Sequence, residues 1–211
     1  MGAWSSRQTS RCSAASSTAL VAVLEACPGA RDLRLTLLKP ADEEDQPETK
    51  FVELPGVPAD SDARVIAVSD TMTAVYLPSP KPTVNVIDDT GATVASTLLP
   101  APASEGAAVT RAGDLVTWWT GDSLLVFAVD GLRYRFTVNP VNGQAPVGPG
   151  VEMAGRLLVP VTEGYDVFDP KTGAGERHIA LTRQAGPDPV VPAVAGSVLL
   201  EQRGDALVAL G

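Results

Sequence analysis

Positive charge, aromatic rings, histidine and long apolar runs are all scarce in this chain. Its 211 residues hold 16 Lys and Arg against 25 Asp and Glu, a net charge of −9. Phosphate backbones are gripped by clustered cations, so a nucleic acid is excluded as the main partner. There is one histidine, His178, and two cysteines, Cys12 and Cys27. Without a Cys-x-x-Cys pair or a Cys/His cluster, a structural zinc site is excluded, and no cofactor is expected. No window approaches the ~18–20 apolar residues of a membrane-crossing helix. The longest run near the start, Ala19 to Leu24, stops at Glu25. Met1-Gly2-Ala3-Trp4 lacks the basic head and apolar middle of a signal peptide. With Ser6 it matches a short myristoylation pattern, but no basic patch or second lipid signal accompanies it. Either the protein is cytosolic, or it is the outer portion of a longer one.

Turn residues, by contrast, are plentiful, with 18 prolines and 19 glycines, and the apolar content of 45% is mostly Val, Leu and Ala. That is the composition of short strands joined by many turns. Four apolar runs close on a turn or end in glycine, at Gly91, Gly131, Gly173 and Gly211, spaced 40, 42 and 38 residues apart. A period near forty built from short strands marks the four-stranded blade of a β-propeller. The chain therefore reads as a single all-β domain, 1–211, with blade-like units at about 13–56, 63–100, 107–148, 150–183 and 189–211. The last unit is one strand short. Residues 3–10 are the candidate to complete it, with Trp4 packing on the last blade. The alternative is a partial propeller from a larger ring.

Candidate chemistry is thin. Gly121-Asp122-Ser123-Leu124 spells a serine-hydrolase motif, but that chemistry needs a histidine beside Ser123. The one histidine, His178, has Gly175 where that family carries an aspartate, and Gly121-Asp122 reads as a hairpin turn. His178 reads as a polar surface residue on an outer strand. Asp88, Asp130 and Asp169 sit in turns, where their carboxylates are expected to cap backbone N–H groups. Trp118 and Trp119 are adjacent in a strand and must face opposite ways. Both can be core, or one indole can line a ligand groove with Tyr134. The acidic run Asp42-Glu43-Glu44-Asp45 reads as a solvated loop; a weak Ca²⁺ site or a docking loop for a basic partner is the alternative. Cys12 and Cys27 lie where two neighbouring strands could bridge them, or they are two reduced thiols.

Several stretches taken together resemble a family of actinobacterial envelope proteins, those of the mycobacterial polar growth factor A type. They are Cys12-Ser13-Ala14-Ala15-Ser16-Ser17-Thr18 with Ala22 to Pro28, Thr73-Ala74-Val75-Tyr76-Leu77-Pro78, Leu115 to Gly121 and Glu201-Gln202-Arg203-Gly204-Asp205. The likeness runs from about residue 11 to the end, and the Cys12/Cys27 segment is its most specific part. It implies a single-pass membrane protein whose outer part is a larger, roughly seven-bladed propeller, linked to trehalose monomycolate trafficking and to a lipid exporter of the RND superfamily. The chain departs from that pattern in lacking the anchor and the leading blades. It carries over no catalytic residues.

The expected function is thus a non-enzymatic, monomeric propeller on the extracytoplasmic face of the membrane. Its partner would be a membrane protein of envelope lipid export, a glycolipid, or both. A propeller hydrolase or quinone-dependent enzyme is the first alternative. A purely structural interaction module is the second.

Overall fold

The computed structural model describes residues 13–26, 31–40, 47–138, 143–183, 186 and 188–210. They divide into two compact units, one ending at Pro100 and the other starting at Ala101. Among the described residues every sheet is an antiparallel meander in which consecutive strands pair.

The first unit holds two four-stranded sheets. One is β1 (Ser13–Ser16), β2 (Val21–Glu25), β3 (Asp32–Lys39) and β4 (Glu48–Pro58). The other is β5 (Arg64–Val68), β6 (Met72–Leu77), β7 (Thr83–Asp88) and β8 (Thr93–Leu98). Period-2 alternation turns Ala22, Leu24, Leu35 and Leu37 to one face. There they pack with Val65, Val75, Leu77 and Ile87 of the second sheet. Ser13–Ser16 pairs with β2, and the Ser13 hydroxyl accepts the Val65 N–H at 2.9 Å. Small side chains with little apolar contrast hide such a strand. β4 passes through Pro55-Gly56 and runs on to Pro58, with a shift of register between Asp32 and Arg34 of β3 and Gly56 at φ +78°.

The second unit holds three sheets. The first is β9 (Ala108–Ala112), β10 (Leu115–Trp119), β11 (Leu124–Ala128) and β12 (Tyr134–Thr137). The next is β13 (Val151–Met153), β14 (Arg156–Val161), β15 (Gly164–Phe168) and β16 (Gly175–Ala180). The last has three strands, β17 (Val190–Ala195), β18 (Val198–Arg203) and β19 (Ala206–Leu210). Residues 3–10, read as a fourth strand for it, lie outside the described residues, as do Trp4, Cys12, Cys27 and the run Asp42–Asp45. Leu124 and Val126 pack with Leu157, Val159 and Phe168 between the first two sheets. Val151, Leu158 and Tyr165 pack with Leu199 between the next two.

Turn chemistry follows the sequence in two of three cases. Asp88 Oδ1 accepts the N–H groups of Thr90 and Ala92, each at 2.9 Å. Asp169 Oδ1 accepts those of Lys171 and Thr172, at 2.8 and 2.9 Å. The Thr90 hydroxyl, with these backbone groups, holds the Asp88 carboxyl below its usual range, and the Thr172 and Lys171 N–H groups do the same for Asp169. Asp130 is the exception. It lies in a 3₁₀ turn, Asp130–Leu132, and points into solvent, 3.7 Å from Arg133. That turn, with Gly131 and Leu132 at φ +66° and +45°, delays the following strand to Tyr134.

The segment Gly148-Pro149-Gly150 carries the chain from the first sheet of this unit into β13, and all three residues are buried. A buried loop must find partners for its backbone. Thr117, fully buried on β10, supplies them: its hydroxyl accepts the Gly150 N–H at 2.8 Å. The same hydroxyl lies 2.8 Å from that of Thr110, which donates to the Gly150 carbonyl. Thr117→Val leaves that buried N–H without its acceptor, a loss of about 1–3 kcal/mol. Urea unfolding should show this loss, and Thr117→Ser should recover most of it.

Candidate functional site

The aromatic residues singled out from the sequence do not share one surface. Trp118 has no exposed area, so its indole offers nothing to a ligand. Trp119, on the opposite face of β10, is partly buried against Leu124, Leu157 and Phe168, and its Nε1 donates to the Pro146 carbonyl at 2.9 Å. Tyr134 is the exposed one. Its ring meets Phe127 edge-on at 6.0 Å and 72°, and its hydroxyl lies 3.0 Å from that of Thr137. Register places Tyr134 opposite Phe127, on the Trp118 face and away from Trp119.

Ser123 lies in the hairpin between β10 and β11, where its carbonyl accepts the Thr120 N–H at 2.9 Å and Gly121 takes φ +123°. His178 is committed elsewhere. Its Nδ1 lies 2.9 Å from Oδ1 of Asp166, a carboxylate with no exposure, and the imidazole itself is largely sheltered. The reading of His178 as a plain surface residue is corrected accordingly. The pairing was readable only from register, since Asp166 and His178 stand opposite each other on β15 and β16.

Sequence reading missed a buried cluster of charge among the described residues. Glu201, on β18, is wholly buried and is met by two arginines. Arg183 donates to it from Nη2 at 2.6 Å and from Nε at 3.0 Å. Its Nη1 donates to the Gly164 carbonyl at 2.7 Å and to that of Val161, and its guanidinium lies 4.7 Å from the centre of the Tyr165 ring. Arg203 donates from Nε at 2.7 Å. Burial alone would raise the Glu201 carboxyl, but the Arg183 hydrogen bonds, the nearby Tyr165 hydroxyl and Arg203 outweigh it and hold the group below the usual glutamate range. Burial first, and then the Glu201 charge, push the Tyr165 hydroxyl far above the usual tyrosine range. The one available clue was alternation: Glu201 falls between inward-facing Leu199 and Arg203 on a β-strand.

A cavity of about 240 Å³ adjoins this cluster, lined by Thr162, Arg183, Asp188 and Arg203 among others. The Arg183 guanidinium is already spent on Glu201 and two carbonyls, so the cluster acts as a clasp between β14–β15 and β18. Among the described residues no three His, Cys, Asp or Glu side chains gather as metal ligands, and no helix is long and apolar enough to cross a membrane.

The remaining feature is an exposed face. On β17–β19, Ala193, Leu200 and Ala209 stand opposite one another, as do Val191 and Leu207 with Gln202 between them, and Ala195 and Val198. This face turns away from Leu199 and Glu201, and Leu207 is 70% exposed on it. The face thus leaves several apolar side chains open to solvent beside the polar Gln202.

No protein-family model matches the chain, and no curated protein does either. Solved structures do. BamB from Moraxella catarrhalis is 15% identical with a TM-score of 0.53, covering 90% of this chain and 54% of its own. PorZ, described as an essential bacterial surface component of the type-IX secretion system of Porphyromonas gingivalis, is 16% identical with a TM-score of 0.54, covering 94% of this chain and 26% of its own. HIRA(644-1017) is 17% identical with a TM-score of 0.50, covering 80% and 55%. The chain thus spans little more than half the length of these structures, or less. At such identities the likeness concerns the fold, and that fold is the β-propeller.

Proposed function

We propose that this protein is a non-enzymatic, extracytoplasmic propeller that binds a membrane protein of envelope lipid export, its glycolipid cargo, or both. The observation that carries the reading is the exposed apolar face of β17–β19, where Val198 and Leu207 stand open to solvent. The resemblance carried by Thr73–Pro78, Leu115–Gly121 and Glu201–Asp205 supports the envelope setting and the link to trehalose monomycolate and an RND-type exporter. The bacterial-surface description of PorZ supports the same setting.

The test is capture from an actinobacterial membrane extract with the full chain as bait. An RND-type exporter or trehalose glycolipid should be enriched, and Leu207→Glu should cut that enrichment without affecting folding, since the side chain is already exposed. Recovery of neither from repeated extracts overturns the proposal.

A further inference from the structure

We propose that Asp130-Gly131 is a self-modifying site. The Asp130 side chain closes on the Gly131 nitrogen as a cyclic imide, which opens in water to an isoaspartyl linkage and loosens β12. The inference goes beyond the binding-module reading and does not depend on it.

The first support is a contrast among the turn aspartates. Asp88 and Asp169 each accept two backbone N–H groups, so their carboxylates are tied down. The nitrogen after Asp169 belongs to Pro170 and carries no proton to give up. The Asp130 side chain, by contrast, is 97% exposed and meets Arg133 Nη2 only at 3.7 Å, beyond hydrogen-bond length. Asp130-Gly131 is also the one Asp-Gly pair in the chain. Glycine leaves the attacking nitrogen uncrowded. Beyond the chain neighbours of Gly131, the nearest atom to where a Cβ would stand is Arg133 Cγ, at 3.8 Å.

The step needs no reagent but water. The Gly131 amide nitrogen bonds to the side-chain carboxyl carbon of Asp130, while its proton and the carboxyl hydroxyl leave as one water molecule. Water then adds to either carbonyl of the imide. Opening at the side-chain carbonyl restores the aspartate. Opening at the main-chain carbonyl routes the backbone through the side-chain methylene and leaves a free carboxylate on the α-carbon. The mass of the chain is unchanged. Nucleophile and carboxyl belong to adjacent residues, and that proximity makes the attack competitive.

The fold sets the consequence. Leu132, only 1% exposed, is held at φ +45°, a left-handed conformation unusual for leucine. The Arg133 carbonyl just after it accepts the Ala128 N–H at 2.8 Å and opens the β11–β12 ladder. Loop length fixes hairpin register, so an extra backbone carbon cannot keep both the buried leucine and that hydrogen bond in place. Tyr134, opposite Phe127, loses its register first, while β9, β10 and β11 keep theirs.

The test ages the full chain for several weeks at neutral pH and body temperature, then offers it to a protein-isoaspartate methyltransferase with a labelled methyl donor. Methyl acceptance should grow with time, and electron-transfer fragmentation should place it at Asp130. Asn142-Gly143 can form the same linkage by losing ammonia, so the mapping decides the site. Asp130→Glu should reduce acceptance at that position to background, because its imide needs a larger ring. Asp130→Asn should reach the same isoaspartate sooner, since an amide releases ammonia more readily than a carboxylate releases hydroxide. The side chain is exposed, so circular dichroism should show both variants folded. Amide exchange of Tyr134–Thr137 should quicken in the aged protein and not in aged Asp130→Glu. The proposal is overturned if the folded chain gains no acceptance at Asp130 while the urea-unfolded chain does. It is equally overturned if neither form gains any there, or if acceptance at Asp130 leaves the exchange of β12 unchanged. None of these outcomes bears on the membrane-extract test, which reads the sheet face through Leu207.

Discussion

Replacing Glu201 with glutamine should cost about 3–5 kcal/mol of folding free energy, the largest loss expected from a single polar substitution in this chain. The magnitude follows from what is left behind. Arg183, whose side chain is 4% exposed, would keep its charge with no carboxylate to meet it, and Arg203 would lose its partner as well. Denaturant unfolding followed by tryptophan fluorescence measures the loss directly. The double variant Arg183→Leu with Glu201→Leu should be much closer to the native protein, because the two buried charges go together and the remaining Arg203, 24% exposed, can reach water. A double variant as unstable as Glu201→Gln would mean that the clasp works through shape and not through charge. The pH dependence has a definite sign. A carboxyl held below its ordinary value binds fewer protons in the folded state than in the unfolded one. Its stabilisation is therefore complete above the ordinary glutamate pKa of roughly 4.3 and is lost as the solution is acidified through the folded value. Acid unfolding of the native protein should show this component, and the Glu201→Gln variant should lack it.

Gly148→Ala should be among the most damaging of the small apolar substitutions, costing ~3 kcal/mol or more by the measure of overpacked interiors. A methyl group there would stand 1.9 Å from the Val190 carbonyl oxygen and 2.8 Å from its carbon. These are backbone atoms at the start of β17, held in place by the Val190 N–H, which donates to the Val147 carbonyl at 3.0 Å. A flexible side chain could swing aside, but a strand cannot without breaking that bond. Gly155→Ala serves as the control, since nothing stands within 4 Å of its added carbon, although its φ of +69° carries a modest strain of its own. Thermal unfolding of the two variants separates steric collision from loss of backbone freedom. Equal effects would refute the collision.

The strand pattern of this protein is written plainly where large apolar residues alternate. Thr83 to Ile87 and Leu124 to Val129 read as strands from sequence, and they are strands, with ends shifted by a residue. Asp88 and Asp169 announce their turns because a short carboxylate two residues ahead of free N–H groups has few other uses. Ser13–Ser16 is silent, since four small residues offer no apolar contrast to detect. The Glu201 clasp is silent for a different reason. A charged residue reads as surface, and the partner that makes its burial affordable, Arg183, sits in an irregular segment whose course no local pattern dictates. Trp118 and Trp119 fall between these cases. Their opposite facing is fixed by strand geometry, but which indole is sealed and which meets the Pro146 carbonyl depends on the packing of neighbouring sheets.

That each strand within a sheet pairs with its immediate successor has a kinetic consequence. Each ladder in the described residues closes only the short loop between two consecutive strands, so the chain entropy spent before each contact forms is small. Proteins built from such near-neighbour contacts fold faster than β-structures that must join distant segments. Within each unit successive sheets then add to one another, as in repeat arrays, where any stable sheet can serve as the nucleus.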